Sequence, residues 1–95
     1  MDPERLIEVL KNSWGYSRML ERNAPYIIKR EFGPSAAPLR NMVKDMGILT
    51  QLAKELDVAL PTGKAAERIY ALANEKDMAS QDITALYLLL EQEQV

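Results

Sequence analysis

Neither cysteine nor histidine occurs in this 95-residue chain. Without cysteine there is no disulfide framework and no thiol chemistry. With both residues missing, nearly every zinc, copper or iron site is excluded, and no metal ligand set is assigned. The side chain that most often serves as a general base near neutral pH is missing too. Glycine is scarce: Gly15, Gly33, Gly47 and Gly63 stand far apart, so no G-x-G-x-x-G phosphate loop can be drawn. No charge of one sign dominates. Twelve basic and 14 acidic residues are mixed along the chain for a formal charge of −2, which leaves no footprint for nucleic acid and no polybasic patch for a membrane. Long hydrophobic runs are also absent. "MDPERLIEVL" has no apolar stretch behind a basic segment, unlike a signal peptide, and nothing approaches transmembrane length. The default location is cytoplasmic.

What is present is an ordinary globular composition, 47% hydrophobic and 27% charged. The expectation is one small domain over residues 1–95, with a narrow stability margin. Asp2-Pro3 reads as a cap and first helical position, followed by a core stripe of Leu6, Ile7 and Leu10. "NSWGYS" breaks that helix and Ser17 caps a second. Pro25 predicts a kink or restart, with Tyr26, Ile27, Ile28 and Phe32 buried. "FGPSAAP" is turn chemistry. A third helix follows over about 38–56, then a fourth capped by Thr62 with Ala65, Ala66, Ile69, Tyr70 and Ala73 inward. Ser80 or Asp82 caps a last helix with Ile83, Leu86, Tyr87 and Leu90 inward. No run alternates with period two over strand length. The fold class is therefore all-α, about five helices in a compact domain with no sheet.

The stretch "LRNMVKDMGILTQLAKEL" raises the functional question. On a helical wheel centred on Met46, the residues Leu39, Met42, Val43, Leu49, Ala53 and Leu56 fall within roughly 80° as a core stripe. Lys44 lies on the far face with Gln51 and Glu55, and Asp45 at the edge. Both charges are expected in solvent. Two features disturb that plain outer face. Ile48 and Leu52 are apolar outside the stripe, and Gly47 costs about 1 kcal/mol against alanine inside a helix, a cost that close approach of a ligand or backbone would explain. Leu88 and Leu89 likewise lie beyond the inward stripe of the last helix, which suggests a partner.

Other constellations carry less. Asp2, Glu4 and Glu8 read as a solvated first turn. Arg18, Arg22, Lys29 and Arg30 are broken up by Glu21 and Glu31, so they read as surface pairs. Trp14 and Tyr16 are expected to cover the core edge. Ser13 and Ser17 have no histidine to activate them.

The order "KDMGI", then a small and apolar helix, "LP" before the next helix and D-x-x-A opening the last one resembles the C-terminal helical domain of the β-hydroxyacid dehydrogenases. That family includes 3-hydroxyisobutyrate dehydrogenase and 2-hydroxy-3-oxopropionate reductase. The resemblance covers nearly the whole chain. It implies an NAD- or NADP-dependent enzyme that interconverts a small hydroxy acid and its semialdehyde. It further implies that the Rossmann domain and the helix bearing the catalytic lysine lie outside these residues, so the 95 residues alone are not expected to be catalytic. By the same resemblance Lys44 reaches toward the cofactor, Asp45 shapes the active site, Asp82 is a structural cap and Ala85 a packing contact. Position 37 is alanine where some relatives carry phenylalanine, so the resemblance does not extend to the substrate. The missing Rossmann domain and a second copy of the chain are the implied partners. The contrasting expectation is a free-standing, non-enzymatic helical module that dimerises.

Overall fold

The computed structural model describes Met1–Gln92. It contains α1 (Pro3–Lys11), α2 (Arg18–Lys29), α3 (Leu39–Glu55), α4 (Pro61–Glu75), a 3-10 turn (Ile83–Leu86) and α5 (Tyr87–Glu91). No strand forms among the described residues; two isolated bridges join Pro34 to Gln81 and Pro38 to Asp82. None of the described helices is long and apolar enough to cross a membrane. The chain divides into two units, Met1–Phe32 and Gly33–Val95.

In the first unit the helix starts follow local chemistry. Asp2 accepts from the Glu4 amide at 3.4 Å with Pro3 as first helical residue, and the Ser17 hydroxyl accepts from the Leu20 amide at 3.0 Å. Helix α2 runs through Pro25 without restarting. Its other bonds outlast the one amide donor that proline removes. Burial is thinner than the sequence predicts. Ala24 and Phe32 are buried, whereas Leu6, Met19 and Ile28 are exposed, because a pair of short helices buries little apolar area in its own contact. An apolar groove lined by Leu6, Ile7, Met19, Leu20, Ala24 and Ile27 results. Trp14 does not cover a core edge; it stands fully in solvent. The turn that carries it is closed by Ser13, whose hydroxyl donates to the Leu10 carbonyl and accepts from the Gly15 amide.

In the second unit α3 lies along α4. Leu39 and Ala73 have no exposure, Ala53 is buried, and the Thr50 hydroxyl donates to Glu67 at 2.5 Å. The stripe of α3 is narrower than predicted, since Leu49 and Leu56 are exposed. The Thr50–Glu67 bond marks where α3 meets α4, and the small residues Ala53 of α3 and Ala73 of α4 are both buried. Helix α4 is not capped by Thr62. It begins two residues earlier than such a cap would give, at Pro61 after Leu60 and without a side-chain cap, because the fixed φ of proline suits the first helical position.

The last segment also departs from the predicted register. Leu89 is 2% exposed and Leu90 49%, the reverse of expectation. Residues 83–86 form a 3-10 turn, which advances about 120° per residue instead of 100°. The inward face is thereby moved to Asp82, Ala85 and Leu89, all buried. Asp82 caps the turn, accepting from the Thr84 amide at 3.0 Å, and Ala85 packs with no exposure, as their sequence roles suggest.

Candidate functional site

Lys44 and Asp45 sit one and a half turns into α3, on its outer side. Both are exposed, with side chains 68% and 59% accessible and Lys44 Nζ 3.8 Å from Asp45 Oδ1. Adjacent helical residues do not face each other, so this is a loose surface contact that leaves the ammonium and carboxylate available to other groups. Along the same side, Lys44, Gly47, Ile48, Gln51, Leu52 and Glu55 line a shallow groove. Ile48 is 60% and Leu52 49% exposed. Its far end is ordered by the Gln51 amide, which donates to Glu55 at 3.2 Å.

Gly47 has a specific meaning in this groove. A Cβ added there would meet nothing within 4 Å among the described residues, so none of them requires its absence. The glycine keeps helix surface bare beside a lysine and two exposed aliphatic side chains. Such a surface offers a cation and hydrogen-bond donors next to an apolar shelf. That suits a ligand with an anionic or hydroxylated part and a flat, weakly polar part. It does not suit acid–base chemistry by itself.

The helix is held at its start by backbone. The Leu39 amide donates to the Gln81 carbonyl at 2.8 Å and the Arg40 amide to the Ala79 carbonyl at 2.9 Å. Beneath them the Ser35 hydroxyl donates to Asp82 at 2.5 Å. Sequence reasoning placed Ser35 only within a turn. A serine 47 positions from its carboxylate leaves no local signal.

The remaining sequence candidates are not drawn into a site. The Arg22 guanidinium lies 4.1 Å from the Tyr26 ring centre and that of Arg30 5.6 Å from Phe32, which places these cations on aromatic faces. The Tyr16 hydroxyl donates to Glu21 at 3.3 Å. On α4, burial pushes the Tyr70 phenol above its ordinary range.

The chain is similar to known proteins. Residues 1–90 match the family described as NAD-binding of NADP-dependent 3-hydroxyisobutyrate dehydrogenase. The chain is 30% identical over 86 residues to L-threonate dehydrogenase of Cupriavidus necator, covering 90% of itself and 29% of that protein. It is 29% identical to the chloroplastic glyoxylate/succinic semialdehyde reductase 2 of Arabidopsis thaliana, covering 90% of itself and 24% of that protein. Among solved structures, 3-hydroxyisobutyrate dehydrogenase from Salmonella typhimurium superposes with a TM-score of 0.80 at 23% identity, over 88% of this chain and 29% of that one. That last likeness is one of fold. The chain spans less than a third of the length of each of these relatives.

Proposed function

The chain belongs to the family of NAD-binding domains of NADP-dependent 3-hydroxyisobutyrate dehydrogenases, and from that premise we propose that it is the C-terminal, substrate-side helical domain of an NAD(P)-dependent 3-hydroxyacid dehydrogenase. The reaction is reversible hydride transfer between a small hydroxy acid and its semialdehyde. NAD or NADP supplies the hydride chemistry when bound. No residue of this chain is assigned a proton-transfer role, and the pyrophosphate-holding loop is not among its residues. Lys44 holds the cofactor by charge-assisted hydrogen bonds. Asp45 orients the lysine and shapes the substrate side. The Rossmann domain and a second copy of the chain complete the assembly, and the cytoplasm is its location.

The observation that carries this reading is Gly47, an interior helical glycine with open space over it, one turn from an exposed lysine. A helix used only for packing gains from alanine there; a helix that must be approached closely does not. The residues present fit one side of the cofactor, a cation and bare backbone beside the Ile48–Leu52 shelf.

The test is a chimera in which this chain replaces the segment it matches in the Cupriavidus necator relative. Lys44→Ala should raise the KM for cofactor roughly tenfold to a hundredfold, as expected for loss of a charged hydrogen bond of about 1.5–3 kcal/mol. Its melting temperature should stay that of the parent, because the side chain is exposed. Unchanged kinetics would return Lys44 to the role of a solvated surface charge.

A further inference from the structure

Helix α3 begins without a side-chain cap. Its N-cap is Pro38, yet the first amides of any helix require acceptors. They are supplied from far along the chain, by the Gln81 carbonyl to Leu39 and the Ala79 carbonyl to Arg40. Those two carbonyls set where α3 starts. The residue that follows them, Asp82, sets the carbonyls. It is fully buried, and its carboxylate accepts from the Ser35 hydroxyl at 2.5 Å, the Thr84 amide at 3.0 Å and the Thr84 hydroxyl at 2.5 Å. Ser35 is itself held, accepting from the Ala37 amide at 3.1 Å. Backbone closes the same seam: the Asp82 amide donates to Gly33 at 3.0 Å and the Ile83 amide to Ala37 at 2.9 Å. A carboxylate is carried into an interior only when donors converge on it, and once satisfied there it makes a stiff junction.

The geometry points to Asp82 as a positioning residue for Lys44. By gripping Ser35 and Thr84 it locks residues 79–82, whose carbonyls fix the first turn of α3 and with it the axial position of the lysine. Lys44 follows Leu39 by about one and a half turns of rigid helix, and among the described residues its side chain makes the loose contact to Asp45. The position of the ammonium is therefore inherited from the helix start. This rests on the cofactor role proposed for Lys44.

Hydrogen exchange of the chain tests the junction. In Ser35→Ala the amides of Leu39 and Arg40 should exchange about tenfold faster or more, while those of the second half of α3 and of α4 keep their rates. Ser35→Thr, which retains the hydroxyl, should restore them, and Asp82→Asn should give the same local pattern as Ser35→Ala. Uniform acceleration through α3 and α4, or unchanged rates at Leu39 and Arg40, overturns the proposal. In the chimera, Ser35→Ala should raise the cofactor KM several-fold at unchanged kcat. A fall in kcat at unchanged KM would mean a structural role alone. Lys44→Ala in the same background separates the two readings. If it leaves KM unaffected, the cofactor role falls and the positioning role with it, while the exchange pattern still decides whether Asp82 fixes the start of α3.

Discussion

Gly47 is where stability and function are expected to part. Its position is helical and uncrowded, so Gly47→Ala should stabilise the chain by about 1 kcal/mol through helix propensity and reduced freedom of the unfolded state. In the chimera the same change should weaken cofactor binding, since a methyl group then covers the bare backbone. A lower melting temperature for the variant would show that the space over Gly47 is filled by the protein itself. Tyr70 offers a second residue-scale test. Burial raises its phenol above the unperturbed value of 10.0. Below that pH both states hold the proton and stability does not depend on it. Above it the unfolded chain ionises first and binds fewer protons, so stability falls as pH rises from 10.0 toward the folded value. Tyr70→Phe should make the loss of stability between about pH 9 and about pH 11 shallower. An equal slope in both proteins would sink the assignment. At this scale the outward placement of Lys44, Asp45, Ile48 and Leu52 was legible, because it follows from helical periodicity alone. The grip of Ser35 on Asp82 was not, because it depends on two distant turns meeting.

The same division between local and distant causes explains which elements the sequence reveals. The starts of α1, α2 and the 3-10 turn are set by Asp2, Ser17 and Asp82, each bonding an amide two or three residues on, so the pattern is readable. The start of α3 is read in the sequence at about residue 38, but it is anchored by carbonyls some 40 residues later, and that distant partnership leaves no sign near Pro38. The final segment shows the consequence. Its first residues are drawn toward the Gly33 and Ala37 carbonyls, the turn tightens to 3-10 form, and a wheel drawn at a uniform 100° assigns the wrong leucine. Paired substitutions measure this register. Leu89→Ala should cost about 2–5 kcal/mol, the range for a buried leucine. Leu90→Ala, at a half-exposed site, should cost less than about 1 kcal/mol. Chemical denaturation of both variants gives the order, and a greater cost at Leu90 would reinstate the regular helix.

At the scale of the molecule the chain changes character at Phe32–Gly33, inside the "FGPSAAP" stretch whose glycine and prolines mark a turn in the sequence. The two sides differ in what holds them. From Gly33 onward, α3 lies along α4 with Leu39, Ala53 and Ala73 buried, and the buried Asp82 junction ties three segments together. Met1–Phe32 is a pair of helices with Leu6, Val9, Met19 and Ile28 exposed, and it has no cysteine to staple it. Units below about 40 residues seldom supply enough buried area to be stable alone. Local opening follows buried contacts and not helix content. The amides of α1 and α2 should therefore exchange at least about tenfold faster than those of α3 and α4, although all four are regular helices. Tryptophan fluorescence is a poor witness to this difference, since Trp14 is already fully exposed in the folded chain and its surroundings change little on opening. Residue-resolved exchange followed by NMR avoids that blindness. Equal protection across the four helices would mean that the chain opens as one cooperative body and that α1 and α2 are stabilised by something beyond their own mutual packing.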